Sequence, residues 1–293
     1  MTQKIAITGG RGRLAPLIAA DLKTHGCEVT TFSRTQGDGH LELSCLHDAE
    51  FAAGFDAILH LAWSTVPLTS EQNPGGEERS DVPFLRSLLE TLTKVPPAPH
   101  FVFFSTTAVY GNCLHRASEE APCAPLGHYA AAKLRAENLL REAASAHPGL
   151  QNCVLRISNA FGFPDHSPQP QGIIPRLCRA AHDGSPLTIW GDGTASKDYL
   201  FCADFLAAIR AVLDHRLTGT FNVASEGSLA LREIIALVEA VAGKKLTVNE
   251  TRHFPWDVER TRLSTEKLRA ATGWRAGHDV RAAIETLIRA ELA

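Results

Sequence analysis

Short apolar runs alternate with amphipathic stretches through the first half of the chain. The apolar runs have the length and composition of buried strands, at residues 4–8, 28–33, 56–62, 100–105 and 153–157. Between them the hydrophobic period predicts helices near 13–25, 82–94 and 128–146. This alternation of strand and helix is typical of a parallel sheet that is covered by helices on both faces.

The second half has fewer strands and more loops. Polar, Pro- and Gly-rich composition predicts a loop over 163–172, and acidic-polar composition predicts an exposed loop over 69–81. The later pattern predicts strands at 187–190 and around 220–223, and helices near 173–183, 203–215, 229–242, 264–272 and 279–292. We therefore expect a sheet domain over 1–165. Residues 166–293 would form mainly a smaller cap that binds substrate, with some segments returning to the first domain.

Composition excludes several classes of protein. A formal net charge of −3 gives no general attraction to nucleic acid or to an anionic membrane. No apolar run is long enough to span a bilayer and no signal peptide is recognised, so a cytoplasmic protein is expected. The seven cysteines and 13 histidines show no metal-ligand spacing, which predicts reduced thiols and no metal site.

A glycine-rich loop joins the first strand to the first helix. Its sequence is TGGRGRLA at 8–15, in which Gly9 suits a tight turn and Gly12 leaves room for backbone to approach a pyrophosphate. Such a phosphate would meet the free N–H groups at the start of the helix. The pattern predicts a dinucleotide site, with a purely structural turn as the alternative. The predicted contacts are Thr8, Gly9, Gly10, Arg11, Gly12, Arg13 and Leu14.

The end of the second strand bears on the choice of cofactor. A free ribose 2′-hydroxyl is usually bound there by a carboxylate, but this chain has Ser33 and Arg34. Two guanidinium groups, of Arg11 and Arg34, could bind a 2′-phosphate. The sequence therefore favours NADP(H), with NAD(H) possible. Alternatively, the two arginines are solvated surface charges.

A tyrosine and a lysine follow the fourth predicted strand of the sheet. Tyr129 and Lys133 are four residues apart in YAAAK, so they share one face of a helix. A free phenol titrates near pH ~10 and needs a nearby positive charge to exchange protons at neutral pH. Lys133 supplies that charge, and the pair predicts hydride chemistry at an alcohol or keto carbon. An incidental surface pair is the alternative.

Several motifs, in order, resemble the extended short-chain dehydrogenase/reductase family, in its nucleotide-sugar epimerase/dehydratase group. Beside TGGRGRLA they are DAILHLAW (56–63), FFSTTAVYG (103–111), YAAAK (129–133), LRISNAFG (155–162), IWGDGTASKDYLFCAD (189–204), FNVAS (221–225) and TGW (272–274). The resemblance covers nearly the whole chain. It implies a Rossmann-type doubly wound parallel sheet with a smaller C-terminal α/β substrate-binding cap.

The resemblance also implies residue roles. Thr106 would bind the substrate oxygen, Tyr129 would exchange its proton, and Lys133 would hold the nicotinamide ribose. Further cofactor contacts would come from His60, Leu61, Ala62, Ser105 and Ile157, beside Ser33 and Arg34. Substrate would contact Thr106, Thr107, Asn159, Trp190, Lys197 and Trp256. Structural alternatives stay open for His60, for Asn159 as a turn former, and for the two tryptophans as core.

The chain departs from the family pattern at several positions. Thr107 and Ala108 stand where dehydratases carry an Asp-Glu pair, which argues against 4,6-dehydration. Asp81 takes the place of an asparagine, and Phe84-Leu85 replaces a Gly-Thr pair. In the cap, Lys197 and Phe254 stand where arginines often bind a nucleotide diphosphate. The nearby arginines that could compensate are Arg252, Arg260 and Arg262.

Three functions remain open from the sequence. The first is a nucleotide-sugar epimerase that retains its cofactor, and the second is an NADPH-dependent reductase of a keto-sugar or related carbonyl. The third is a non-catalytic protein that binds a cofactor or acts as a scaffold. The family implies a homodimer through 82–94 and 128–146, although the apolar stripe of Leu85, Leu88, Leu89 and Leu92 could equally face the sheet.

Overall fold

The computed structural model of the chain describes residues 2–163 and 172–292. By its internal contacts the chain divides into two compact units. The first contains 1–109, 127–156 and 209–221, and the second contains 110–126, 157–208 and 222–293. The predicted domain boundary after residue 165 falls in 164–171, outside the described residues, and it stays a prediction. The predicted loop over 163–172 lies almost wholly in the same stretch.

A seven-stranded sheet organises the first unit. Its strands are β1 (Lys4–Thr8), β2 (Glu28–Ser33), β3 (Leu41–Glu42), β4 (Ala57–His60), β5 (His100–Thr106), β6 (Asn152–Ile157) and β10 (Gly219–Val223). They lie in the order β10-β6-β5-β4-β1-β2-β3, and the pairs β1–β2, β1–β4, β2–β3 and β4–β5 are parallel. The strand order reverses between β1 and β4, which is where open α/β sheets bind ligands.

Helices connect these strands. They are α1 (Leu14–Thr24), α2 (Ala49–Ala52), α3 (Pro67–Gln72), α4 (Gly76–Arg79), α5 (Asp81–Leu92) and α6 (His128–Ala146), with 3₁₀ turns at Leu43–His47 and Thr107–Tyr110. α8 (Cys202–Asp214) contributes its last turns to this unit. The leucine stripe of α5 is buried in the core with Phe101 and Phe103. That stripe therefore faces the core of its own unit and is not available to a partner subunit.

One loop prediction is wrong. The stretch 69–81 is not an exposed loop, because it contains most of α3, the whole of α4 and the first residue of α5. Ser70 and Glu77 within it have no solvent-exposed surface. Polar composition predicted exposure, but Glu71 and Glu78 contact residues of α6, and the Thr65 hydroxyl donates to the buried Glu77.

The second unit is built on smaller sheets. β7 (Asn159–Phe161), β9 (Ser196–Phe201) and β11 (Ser228–Ala230) form one sheet, while β8 (Leu187–Trp190) pairs in parallel with β12 (Val248–Thr251). Its further helices are α7 (Ile173–Asp183), α9 (Leu231–Ala242), α10 (Glu266–Thr272) and α11 (Val280–Leu292). α7, α9 and α11 pack together around Leu177, Ile234 and Ile284. Among the described helices, none is both long and apolar enough to cross a membrane.

Candidate active site

The glycine loop has the geometry of an anion cradle. Gly9 adopts φ +78°, and a Cβ there would lie 3.0 Å from Ala62 N. Gly12 donates its N–H to Gly9 O at 2.7 Å, and a Cβ on Gly12 would lie 3.0 Å from that oxygen. α1 starts at Leu14, and its N-cap residue Arg13 makes no side-chain capping bond. Free helix N–H groups and bare backbone together fit a pyrophosphate.

The side chains of Thr8 and His60 connect the carboxyl ends of β1 and β4. Register places them side by side on β1 and β4, and Thr8 Oγ1 lies 3.0 Å from His60 Nδ1. The same hydroxyl accepts the N–H groups of Leu61 and Ala62, at 3.1 and 3.0 Å. Burial and the charge of Lys133 lower the pKa of His60 to about 3. His60 is therefore a neutral structural group beside the glycine loop and not a proton donor.

The side chains predicted to bind a 2′-phosphate near the end of β2 are partly engaged by other groups of the protein. The Ser33 hydroxyl donates to Thr35 O at 2.5 Å. Arg11 forms an exposed ion pair with Asp38 at 3.2 Å. Arg34 is exposed and has no ion-pair partner among the described residues. The predicted 2′-phosphate site thus offers the unpaired guanidinium of Arg34 and that of Arg11, which is paired with a single exposed carboxylate.

Tyr129 and Lys133 lie on α6 as the spacing predicted. Lys133 is 3% exposed; its Nζ donates to Phe104 O at 2.8 Å and lies 5.9 Å from the centre of the Tyr129 ring. The same amine lies 3.9 Å from the Trp63 ring centre and 4.7 Å from that of Phe103. Such distances favour the charged amine through cation–π attraction. The structure therefore holds the amine in a buried aromatic pocket next to the phenol.

Burial moves both pKa values in the direction of the neutral species. It lowers the pKa of Lys133 to about 7, although the carboxylates of Asp81, Glu137 and Glu77 oppose this change. It raises the pKa of Tyr129 to about 12, and the charge of Glu77 adds to this rise. Tyr129 is therefore a neutral phenol in this environment, and an added positive charge close by would favour its ionisation.

The end of β5 presents three hydroxyl groups with different partners. Thr106 is half-buried, and its Oγ1 accepts the N–H of Ala108 at 3.2 Å. Ser105, predicted to contact cofactor, donates its hydroxyl to Glu137 Oε1 at 2.5 Å. Thr107, predicted to contact substrate, is buried. The Thr106 hydroxyl donates to no described residue, and Thr106 is less buried than Ser105 and Thr107.

A buried ion pair supports this end of α6. Arg156 donates to both oxygens of Glu137, with Nη2 at 2.6 Å from Oε2. Their side chains are 3% and 0% exposed. The pair ties β6 to α6 one turn beyond Lys133, and through Ser105 it also reaches β5. Rigid support of this kind fixes the helix that carries the candidate catalytic groups.

The second unit brings together some of the predicted substrate residues. Trp190 meets Trp256 edge to face at 5.0 Å, and Phe254 stacks on Trp256 at 5.1 Å. Lys197 donates to Asp257 Oδ1 at 2.5 Å, so its charge is already paired. Asn159 donates its amide to Asp198 O at 2.9 Å. Ile157, predicted to contact cofactor, is half-buried at the end of β6.

Sequence reasoning missed two residues that contact or face the Tyr129–Lys133 pair. Trp63 directly follows His60-Leu61-Ala62, and an aromatic residue at that strand end was the available signal. Glu77 lay in the stretch predicted to be exposed, and no local pattern distinguished it from Glu78 beside it. Trp63 contacts Lys133 directly, whereas Glu77 acts on Tyr129 and Lys133 through its charge, and sequence spacing reveals neither relation.

Comparison with known proteins agrees with this geometry. The model of the NAD dependent epimerase/dehydratase family matches residues 5–224. A UDP-glucose 4-epimerase of Azospirillum brasilense is 29% identical over 76% of this chain and 69% of that protein. A dTDP-glucose 4,6-dehydratase of Neisseria meningitidis serogroup B is 31% identical over 78% of this chain and 64% of that protein. The matches thus span about two thirds of these relatives.

Solved structures extend the likeness over the whole fold. The UDP-glucose 4-epimerase of Thermus thermophilus, in complex with NAD, superposes with a TM-score of 0.86 at 26% identity over 99% of both chains. MoeE5, in complex with UDP-glucose and NAD, gives 0.87 at 23% identity over 99% of this chain and 100% of its own. The predicted Rossmann-type fold is confirmed. Since the family model spans more than half of the sequence, this chain belongs to the NAD-dependent epimerase/dehydratase family, enzymes of the extended short-chain dehydrogenase/reductase type that use NAD or NADP.

Proposed function

We propose that the chain is a nucleotide-sugar epimerase that transfers hydride at a carbinol or keto carbon of the sugar. The observation that carries the proposal is the placement of Tyr129 and Lys133 on one face of α6 within a single compact unit. The same unit contains the Thr106 hydroxyl and the glycine cradle at Gly9. Relatives that are UDP-glucose 4-epimerases support the choice of substrate class.

The proposed chemistry assigns the proton to Tyr129. The nicotinamide ring of the bound cofactor supplies hydride exchange with the sugar carbon. Thr106 donates a hydrogen bond to the reacting oxygen, and the Tyr129 phenolate takes the hydroxyl proton as the C–H bond is lost as hydride. Return of that proton from Tyr129 accompanies return of the hydride to the opposite face. Lys133, when charged, stabilises the Tyr129 phenolate that precedes the first step and is formed again in the second.

We expect no 4,6-dehydration. Water elimination needs a proton donor and a proton acceptor at the neighbouring carbons, and dehydratases of this family place an Asp-Glu pair directly after the catalytic threonine. Thr107 and Ala108 stand there in this chain, and neither has a carboxyl group. Dehydratases among the relatives therefore support the family but not that reaction.

For the cofactor, NADP(H) is the proposed preference. Arg34 is free to bind a 2′-phosphate, and Ser33 and Arg34 stand at the end of β2, where a carboxylate usually binds a ribose 2′-hydroxyl. The structural neighbours hold NAD, so NAD(H) is the competing assignment. Dissociation constants of NADPH and NADH decide between them, and tighter binding of NADH would refute the preference. Asp38→Asn frees Arg11 and is expected to tighten NADPH alone.

The second unit is proposed to bind the nucleotide and its phosphates. The aromatic cluster of Trp190, Phe254 and Trp256 offers faces for stacking a base or sugar. Lys197 would attract a diphosphate as a point charge that Asp257 partly offsets. Arg252 lies over the Phe254 ring at 5.5 Å and adds positive charge to that cluster. A homodimer and a cap domain beginning after residue 165 are further proposals, and light scattering at several concentrations tests the first.

A reductase of keto-sugars is the second candidate. Ser33 and Arg34 at the end of β2 favour it, because they suit NADPH, which is the usual reductant. One paired experiment separates the two. Purified protein is incubated with a panel of nucleotide sugars without added cofactor, and then with NADPH and keto-sugars while absorbance at the NADPH band is followed. Isomer interconversion without net oxidation supports the epimerase, and stoichiometric loss of NADPH supports the reductase. Cofactor binding with neither reaction would refute both.

A further inference from the structure

The Lys133 amine is enclosed by the aromatic side chain of Trp63 and by the backbone of β5. Its Nζ lies over the Trp63 ring, 3.9 Å from the ring centre, and donates to Phe104 O at 2.8 Å. The Trp63 ring in turn meets Phe103 edge to face at 5.9 Å and packs against the core of its unit. The indole is therefore held in place on one side of the amine and contacts the charge directly.

The indole N–H of Trp63 does not explain why a tryptophan stands at this position. Its Nε1 is buried and has no hydrogen-bond partner among the described residues. An unpaired buried donor is costly, and leucine or phenylalanine would avoid that cost. The face of a tryptophan, however, attracts a cation more strongly than the face of a phenylalanine. The contact between this ring face and the Lys133 amine is thus the interaction that accounts for the side chain.

Other titratable and charged groups act on the Lys133 amine from farther away. They lie on β4, α4, α5 and α6, and they are His60, Glu77, Asp81, Tyr129 and Glu137. Each of the three carboxylates is hydrogen-bonded to another side chain, and none forms an ion pair with Lys133 among the described residues. Of the aromatic rings around the amine, that of Trp63 is the nearest.

The charged and neutral forms of the Lys133 amine are nearly balanced at neutral pH. Burial, opposed by the nearby carboxylates, lowers the pKa of Lys133 to about 7, so about half of the molecules carry the charge at that pH. A further fall of about 1 pKa unit would leave about one tenth of them charged. A cation–π contact in a desolvated site contributes on this order. The contact with Trp63 is therefore large enough to decide which form predominates.

We propose that Trp63 is a positioning residue that keeps the Lys133 amine charged and fixed beside Tyr129. The inference rests on the proposed function, in which the charged amine stabilises the Tyr129 phenolate. Trp63 acts through Lys133, because its ring face contacts the amine of that residue. Loss of the ring face would leave the amine in a buried pocket without its nearest cation-binding group, and the neutral amine would then predominate at pH 7.

The test removes the ring face and measures the charge of the amine directly. The protein is labelled with ¹³C at the ε carbon of lysine, and its nuclear magnetic resonance signals are followed against pH without substrate or cofactor. Lys133→Met identifies the Lys133 signal by its loss. Trp63→Leu is expected to lower the midpoint of the Lys133 titration by about 1 pH unit. Phe101→Leu removes a buried ring of the same core that stacks on His60, and as the matched control it is expected to leave the midpoint unchanged.

A conservative variant distinguishes the ring face from the volume of the side chain. Trp63→Phe keeps an aromatic face over the amine, so it is expected to retain more of the wild-type midpoint than Trp63→Leu does. An unchanged Lys133 midpoint in Trp63→Leu, with circular dichroism of the folded protein, would overturn the proposal. Equal falls of the midpoint in Trp63→Leu and Phe101→Leu would overturn it as well, because a lost volume in the core would then explain both.

The pH profile of kcat separates this inference from the proposed function. The falling limb that follows loss of the Lys133 proton is expected to move to lower pH in Trp63→Leu, with kcat at pH 7 reduced about five-fold. A merely structural role would lower kcat at every pH without moving the limb. If the Lys133 midpoint moves but the limb does not, the action of Trp63 on the amine stands and the electrostatic role of Lys133 in the reaction fails.

Discussion

Burial of the Lys133 amine makes folding depend on pH in a defined direction. Its pKa falls from 10.5 to about 7 in the folded protein. Between these two values the unfolded chain binds a proton that the folded chain does not, so the free energy of unfolding rises with pH. The difference of about 3.5 pKa units corresponds to about 5 kcal/mol, at about 1.4 kcal/mol per unit.

Lys133→Met removes this dependence and keeps most of the side-chain volume. Urea unfolding of wild type and variant across the window from pH 7 to pH 10.5 gives the two free energies of unfolding. Wild type minus variant is expected to increase by about 5 kcal/mol across that window. The buried thiols titrate in both proteins and cancel in this difference, because Lys133 does not contribute to their pKa shifts.

Lys23→Met is the control, because Lys23 is an exposed lysine at the end of α1. Its difference from wild type is expected to stay constant with pH. A constant difference for Lys133→Met as well would show that the amine titrates alike in the folded and unfolded chains. That result would refute the buried, aromatic environment assigned to Lys133 and its electrostatic part in the site.

Two further predictions concern the supports of the site. Glu137→Gln leaves the buried Arg156 guanidinium without its carboxylate and is expected to lower the free energy of unfolding by about 3–5 kcal/mol. Glu78→Gln breaks the more exposed pair with Arg135 and is expected to cost less than about 1 kcal/mol. Urea titration measures both losses, and equal losses would contradict the burial of the Glu137–Arg156 pair. Gly9→Ala should cost more stability than Gly26→Ala. Both positions have positive φ, but only at Gly9 does a Cβ meet backbone, at 3.0 Å. Gly9→Ala alone should also weaken cofactor binding, measured by calorimetric titration, and equal losses at both sites would refute the close approach of Gly9 to Ala62.

Local patterns predicted the parts of the site that local chemistry determines. α6 runs from His128 to Ala146 as its hydrophobic period indicated, because the helix has a regular apolar face. The turn at Gly9 followed from its position between a strand and a helix. Tyr129 and Lys133 share a face because of helical geometry alone, and no tertiary information was needed to place them together.

Tertiary contacts decided what sequence spacing could not. Glu77 and Glu78 are adjacent and chemically alike, yet one is fully buried and the other pairs with Arg135 at the surface. Lys133 meets Trp63 across 70 positions of the chain, and only the packing of β4 against β5 and α6 brings them together. The polar residues of 69–81 fold into helices because their partners lie on α6, far away in sequence.

The proton transfer assigned to Tyr129 is the central claim, and Tyr129→Phe tests it most directly. Turnover of the best substrate from the nucleotide-sugar panel is measured for wild type and variant, together with the dissociation constant of the cofactor. Loss of the phenol hydroxyl is expected to reduce kcat by about 10²–10⁴-fold, the usual contribution of a positioned acid or base, with little change in cofactor affinity. Near-normal turnover by Tyr129→Phe would contradict the account.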